Sequence, residues 1–311
     1  MTIREFIASE PDLIRVDEPV SSHLEAAGII AGLDGKAVLL TNVDGGRQVL
    51  SGFTSGRERI AHALGVSGVE LLHLLARALE NPQPPSVVDR PPCQEAVLER
   101  PDLTRLPILK HLADDGGPYV TAGVSVVNDP EYGRNISYHR LMVIGERQFV
   151  ARVVEGRGTH TAWSRTQEDL PIAVAIGCPL SVLLAAAMSP AKGVDEYSIA
   201  QAIRPTPLAR CLTVPLEVPA EAEYVIEGRL THRLADEGPF IDLTETWDGV
   251  RPQPVLEVDC ITHRRDPIYH AILPGLSEHK TIMGLPREPG ILTAVGRVCD
   301  VLDVGLTVGG M

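Results

Sequence analysis

Aromatic residues are scarce. The chain has four Phe, two Trp and six Tyr in 311 residues, or 4%. A core with so few rings must be filled by Val, Leu, Ile and Ala, and an apolar content of 44% supplies enough of them. Basic residues are also few. The 28 Lys and Arg face 41 Asp and Glu, and the net charge of −13 argues against nucleic acid or an anionic membrane surface as partner. Apolar runs such as residues 182–188 fall far short of the ~20 residues that a membrane-spanning helix needs. The N-terminus lacks the basic, apolar and small-residue order of a signal peptide. The cysteines Cys93, Cys178, Cys211, Cys260 and Cys299 are scattered, with no Cys-x-x-Cys, which predicts reduced thiols and a cytoplasmic location. Repeats, a Walker loop, a Gly-x-Ser-x-Gly elbow and a His-Glu-x-x-His are all missing, and Gly116-Gly-Pro lacks dinucleotide-site spacing.

What is present divides the chain. Residues 2–9 read as a short amphipathic helix and 14–16 as a strand. Ser22, Ser55 and Ser67 read as helix caps before apolar residues at helical spacing. A strand at 37–40, a turn at 42–46 and a partner strand at 47–50 complete an N-terminal α/β domain, residues 1–100. Its end is the proline-rich stretch 81–92, where fixed φ and missing donors make a stiff linker. From 119 onward short β runs alternate with Gly-, Pro- and Asp-rich turns, at 120–127, 136–144, 149–154, 172–176, 211–214, 224–226, 255–258 and 268–272. They predict an antiparallel sheet or barrel over residues 101–300, interrupted by one buried helix at 180–188. Residues 301–311 read as an apolar strand, and a chain rarely stops on an unpaired strand of this kind. That predicts the start of a truncated C-terminal domain, or pairing with another chain.

Four constellations could carry chemistry. The strand segment Asn135-Ile-Ser-Tyr-His-Arg140 places an amide, a hydroxyl, an imidazole and a guanidinium within six residues, which marks either an exposed edge or the wall of a site. Asn135, His160, in a glycine-flanked turn, and Glu196 form a mixed N/O donor set that suits Mg2+ or Mn2+ better than zinc. Glu237 and Asp242 sit five apart across Gly-Pro. A carboxylate pair beside an arginine, for which Arg140 is the candidate, can hold one carboxylate ionised and keep the other as an acid. Ile261-Thr-His-Arg-Arg-Asp-Pro-Ile-Tyr-His270 fits an anion site or an ion-paired structural turn, and the turn is the preferred reading. One geometric difficulty stands out. In a regular strand Asn135 and Arg140 point to opposite faces, so a bulge or a strand end must lie between them if both serve one site.

Taken together, Asn135-Ile-Ser-Tyr-His-Arg140, Gly193-Val-Asp-Glu196, Val218-Pro-Ala-Glu-Ala-Glu-Tyr-Val-Ile-Glu-Gly228, Glu237-Gly-Pro-Phe240 and Ile261-Thr-His-Arg264 resemble the UbiD family of reversible decarboxylases, over nearly the whole chain. The resemblance implies an α+β protein whose second domain is a split β-barrel that binds prenylated FMN. It implies Asn135, His160 and Glu196 as ligands of Mn2+ or Mg2+ at the cofactor phosphate. A K+ ion would sit near Glu196 and the backbone of 185–188. Ser137, Arg140, Thr159 and Met188 would be further cofactor contacts, and Arg140, Glu237 and Asp242 the catalytic triad, with Asp242 as proton donor. The substrate would be an α,β-unsaturated or aromatic carboxylic acid, a flavin prenyltransferase would supply the cofactor, and the full-length protein would be a homo-oligomer. A family C-terminal domain is missing from the sequence read this way. Two other readings stay open: a non-catalytic flavin-binding or assembly subunit completed by a partner chain, and a metal-dependent hydrolase using the Asn-His-Glu set.

Overall fold

The computed structural model describes residues 1–98 and 100–307. Two capping boxes start helices where the sequence predicts them. Thr2 with Glu5 opens the helix Ile3–Ser9, and Ser67 with Glu70 opens Gly68–Glu80, each hydroxyl and carboxylate satisfying backbone donors that the first turn leaves free. Ser22 and Ser55 do not cap. Leu24 and Gly56 occupy the cap positions, both at positive φ and without a side-chain bond.

These helices pack on a four-stranded sheet ordered Ile14–Val16, Val38–Val43, Arg47–Ser51 and Ile268–His270. Asp44, Gly45 and Gly46 all have positive φ, which makes the tight turn between the two middle strands. The last strand arrives from more than 200 residues away and pairs parallel with Arg47–Ser51. Just beyond it, Glu278 is buried and accepts bonds from the amides of Gly52 (2.6 Å) and Thr54 (2.8 Å), the Ser51 hydroxyl (3.1 Å) and His270 Nε2 (3.1 Å). The C-terminal segment is therefore bolted to the N-terminal sheet.

The second sheet is antiparallel and has nine strands. Its path runs Tyr119–Val120, Leu141–Gly145, Gln148–Ala151, Arg251–His263, Tyr224–Glu237, Leu170–Ile176, Val124–Asp129 and Gly133–Tyr138, with Ala96–Leu98 also on Arg251–His263. Three residues separate Tyr119–Val120 at one end from Val124–Asp129 near the other, so the sheet must curl to bring its ends within ~10 Å of chain. Among the described residues no strand pair joins the two ends. The sheet is curled but open: the expected antiparallel sheet forms, without closing into a barrel among the described residues, and the architecture is mixed α+β.

Tyr224–Glu237 and Arg251–His263 are 14 and 13 residues long, well beyond the apolar runs at 224–226 and 255–258. Past Leu230 both strands leave the core as a two-stranded ribbon, and polar residues such as His232 and Arg233 are exposed there, so periodicity does not mark them. Residues 211–214 are not a strand. The buried Glu227 carboxylate takes the amides of Leu212 (2.9 Å) and Thr213 (2.6 Å) and folds this stretch into a turn after the strand Leu208–Arg210. The helix Leu180–Ala186 is buried along its whole length, as a segment without a polar face must be.

Residues 301–307 form no strand. Arg57 donates to Asp303 (2.7 Å) and to the Val304 carbonyl (2.9 Å), and Glu288 accepts from the Leu306 amide, so side chains and not a ladder hold this backbone. Residues 308–311, the rest of that expected strand, lie outside the described residues. No helix among the described residues is long and apolar enough to cross a membrane.

Candidate active site

The strand Gly133–Tyr138 stops one residue before His139, and Leu141–Gly145 begins one residue after Arg140. This break resolves the parity problem, because Arg140 lies outside the alternation that fixes Asn135. Its guanidinium meets Glu237, the last residue of its strand, in a two-point pair: Nε to Oε1 and Nη2 to Oε2, both 2.8 Å. Glu237 is fully buried and Arg140 nearly so. The Tyr119 hydroxyl also donates to Glu237 Oε1 (3.1 Å), and the Phe240 ring lies under the guanidinium at 4.7 Å.

The second carboxylate on Arg140 is Asp248 (2.7 Å), not Asp242. Asp248 is also paired with Arg251 and lies 3.6 Å from Arg152. Partial burial raises its pKa, but these guanidinium groups outweigh that and hold the carboxyl below its ordinary range. Asp242 is exposed, on the turn after the short strand Phe240–Ile241. Its Oδ1 accepts from the Leu243 amide (2.7 Å), and Arg140 is not among its partners. Nothing in the local sequence marks Asp248 or Tyr119. Each is singled out only by the residue it meets across the sheet.

Asn135 and Glu196 come together at the far end of the broken strand. Asn135 Nδ2 donates to Glu196 Oε1 (3.1 Å), and the Ile136 amide donates to Oε2 (3.0 Å). Glu196 opens the helix Glu196–Ile203, which the sequence reading missed. Arg134, paired with Asp195 at 2.5 Å and Glu217 at 2.6 Å, ties that helix to the strand. Asn135 Oδ1 is buried with no hydrogen-bond partner. Burial, only partly offset by these hydrogen bonds, pushes the Glu196 carboxyl up to about 7. An orphaned amide oxygen beside a buried carboxylate is a hard-oxygen donor pair that a divalent cation fits.

His160 is in the helix Gly158–Arg165, not in a loose turn. Its Nδ1 accepts from the Gly156 amide (3.4 Å), and its ring faces Trp163 at 5.9 Å. Gly158 links this helix to the donor pair, since Asn135 packs so closely against its backbone that a Cβ there would sit 2.5 Å from Oδ1. Between the two ends, the buried ring of His139 bonds the Arg152 carbonyl through Nδ1 (3.0 Å), and its Nε2 lies near the hydroxyls of Thr159 (2.8 Å) and Ser137 (3.1 Å). Met188 is buried just past the end of the helix Leu180–Ala186. The 261–270 run is the ion-paired turn: Arg264 meets Glu221 (2.9 Å), and Glu223 is taken by Arg4 (2.8 Å).

The raised pKa of Glu196 has a testable sign. A group whose pKa is higher folded than unfolded contributes stability below its ordinary pKa, and that contribution is lost as pH rises through the folded value. Metal-free protein is thus expected to lose about 3 kcal/mol from this residue between pH 4.5 and pH 8. Chemical denaturation across that range, compared with Glu196→Gln, checks it. The difference between the two proteins must change with pH, and an unchanged difference would refute the buried carboxylate.

Two family models match the sequence: the 3-octaprenyl-4-hydroxybenzoate carboxy-lyase N-terminal domain at residues 4–79, and the Rift-related domain of the same enzyme at residues 86–277. The chain belongs to the UbiD family. It is accordingly a carboxy-lyase. Among curated UbiD-type relatives, the anhydromevalonate phosphate decarboxylase of Methanothermobacter thermautotrophicus is 41% identical over 95% of this chain and 71% of its own length. The enzyme of that name from Methanosarcina mazei is 38% identical over 100% and 74%. Among solved structures, an evolved dimeric form of the UbiD-class enzyme HmfF from Pelotomaculum thermopropionicum, in complex with prFMN, superposes with a TM-score of 0.95. It is 38% identical, with coverage of 99% of this chain and 76% of that one. The apo 3,4-dihydroxybenzoic acid decarboxylase of Enterobacter cloacae follows at 0.88 and 26%, covering 95% and 69%.

Proposed function

We propose that this UbiD-type enzyme catalyses the reversible, non-oxidative decarboxylation of an α,β-unsaturated acid with prenylated FMN. Anhydromevalonate phosphate, the compound named for its relatives, is the first substrate to test. An anhydro derivative of a 3-hydroxy acid can conjugate its carboxylate to a double bond, which is one of the two substrate classes that the resemblance implies, aromatic acids being the other. The Arg140–Glu237 pair carries this reading, because an ion pair whose carboxylate is fully buried and whose guanidinium is largely buried is costly to build unless its orientation is used.

When bound, prenylated FMN supplies the electron sink for carboxylate loss. Asn135, His160 and Glu196 would hold Mn2+ or Mg2+, with K+ close to Glu196 and the backbone of 185–188. The unpartnered Oδ1 of Asn135 supports the first of these sites. Ser137, Thr159 and Met188 would line the cofactor, Glu237 fixes Arg140, and Arg140 orients cofactor and substrate. Asp242 is the proton donor. Asp248 is unsuited to that task because its arginines keep it ionised, whereas Asp242 has an oxygen free of protein bonds. A flavin prenyltransferase would furnish the cofactor, and the homo-oligomer belongs to the same reading.

Co-production with a flavin prenyltransferase, followed by mass and absorption spectra of the released ligand, tests the cofactor. Near-stoichiometric prenylated FMN with a divalent metal is expected, and an empty folded protein would refute it. Asp242→Asn is expected to lower turnover by ~10²–10⁴-fold while prenylated FMN stays bound. Loss of both together would overturn the role given to Asp242.

A further inference from the structure

Tyr119 has no part in the assignments above and lies in none of the motifs, yet its hydroxyl is in hydrogen-bond contact with Glu237. Its ring is 1% exposed. Its strand pairs with the residues that directly follow Arg140, Tyr119 opposite Met142 and Val120 opposite Leu141. The ring packs on Phe240 with centroids 4.4 Å apart, and Phe240 in turn lies under the Arg140 guanidinium and meets the His111 ring edge-on at 6.3 Å. The hydroxyl reaches Glu237 Oε1 at 3.1 Å, the oxygen that also accepts from Arg140 Nε. The Tyr119 amide is fixed to the Leu109 carbonyl (2.9 Å), and the Gly116 amide to the Pro239 carbonyl (2.9 Å). A Cβ at Gly116 would lie 2.2 Å from the Gly238 carbonyl oxygen, so the segment before Tyr119 lies directly on the one after Glu237.

We propose that Tyr119 is a positioning residue for the Arg140–Glu237 pair, its phenol fixing the Glu237 carboxylate that in turn aims Arg140 at the reacting groups. This rests on the decarboxylase reading. A two-point guanidinium–carboxylate pair can still tilt and slide as a unit, and a third donor from a different strand removes that freedom. Burial, with the nearby Glu237 charge, drives the phenol pKa upward, so the hydroxyl keeps its proton and remains a donor. The other charged and titratable groups around the pair include Asp248, Arg152 and Arg251 at the guanidinium, His279, which feels the Arg140 charge, and Asp115 and the buried His111 in the segment before Tyr119.

Tyr119→Phe removes only the oxygen. In the cofactor-loaded enzyme the expected result is a kcat about tenfold lower, KM within about twofold, unchanged flavin occupancy, and a low-pH limb of the rate profile displaced upward, as loss of one hydrogen bond to a charged group implies. A variant with unchanged kcat and pH profile, or one that loses flavin, overturns the proposal, as does one that only melts earlier. A second measurement does not depend on turnover. A double-mutant cycle of Tyr119→Phe with Glu237→Gln on the unfolding equilibrium is expected to show about a tenfold coupling. No coupling overturns the proposal. Coupling in a cofactor-loaded protein that turns over no acid would leave the hydroxyl's grip on Glu237 standing and sink the decarboxylase reading instead.

Discussion

Arg140→Ala is expected to abolish turnover, by at least ~10³-fold, and to destabilise the protein by about 3–5 kcal/mol, the usual cost of leaving one partner of a buried pair alone. The size follows from what the guanidinium holds. It supplies two of the three donors to a carboxylate with no exposure to water, and it meets Asp248 and the Phe240 ring as well. Without it Glu237 keeps only the Tyr119 hydroxyl and must take up a proton or unfold its surroundings. Arg140→Lys would keep the charge but not the two-point geometry, and is expected to recover stability in part and turnover hardly at all. Denaturant unfolding together with CO2 release checks both arms. An alanine variant with wild-type stability would remove the pair from the centre of the site.

Glu196→Ala is expected to strip both metal and flavin, with metal affinity reduced at least ~100-fold, since even outer partners of metal ligands are worth 10–100-fold. Its carboxylate bonds the Asn135 amide and is the one anionic member of the proposed donor set, so without it only the neutral Asn135 and His160 remain to hold a divalent ion. The metal-free protein should suffer less. Removing a carboxyl pushed up to about 7 relieves a buried charge, and this offsets the loss of its bonds to the Ile136 amide and to Asn135. Metal analysis and flavin absorbance on purified protein provide the test. Retention of both at wild-type occupancy would refute the ligand assignment.

The sequence made visible whatever is set by local periodicity and by dense motifs. The capped helices Ile3–Ser9 and Gly68–Glu80 were legible because capping is a matter of four consecutive residues. The buried helix Leu180–Ala186 was legible because it lacks a polar face. The pairing of Arg140 with Glu237, 97 positions apart, was offered by the residue types as a candidate, given its roles by the resemblance, and then found in the fold. The long ribbon of Tyr224–Glu237 and Arg251–His263 was not legible, because strands that leave the core have no apolar face to alternate.

The amino-acid order by itself determined the capped and fully buried helices, the family motifs and the residue types available for catalysis. Tertiary structure alone decided which of them meet. It paired Arg140 with Asp248 where spacing suggested Asp242, gave Glu237 the hydroxyl of Tyr119, and carried Ile268–His270 back to the N-terminal sheet. These are long-range contacts. Strand register and burial fix them, and the desolvation of a carboxylate such as Glu237 has meaning only once other parts of the chain have closed over it.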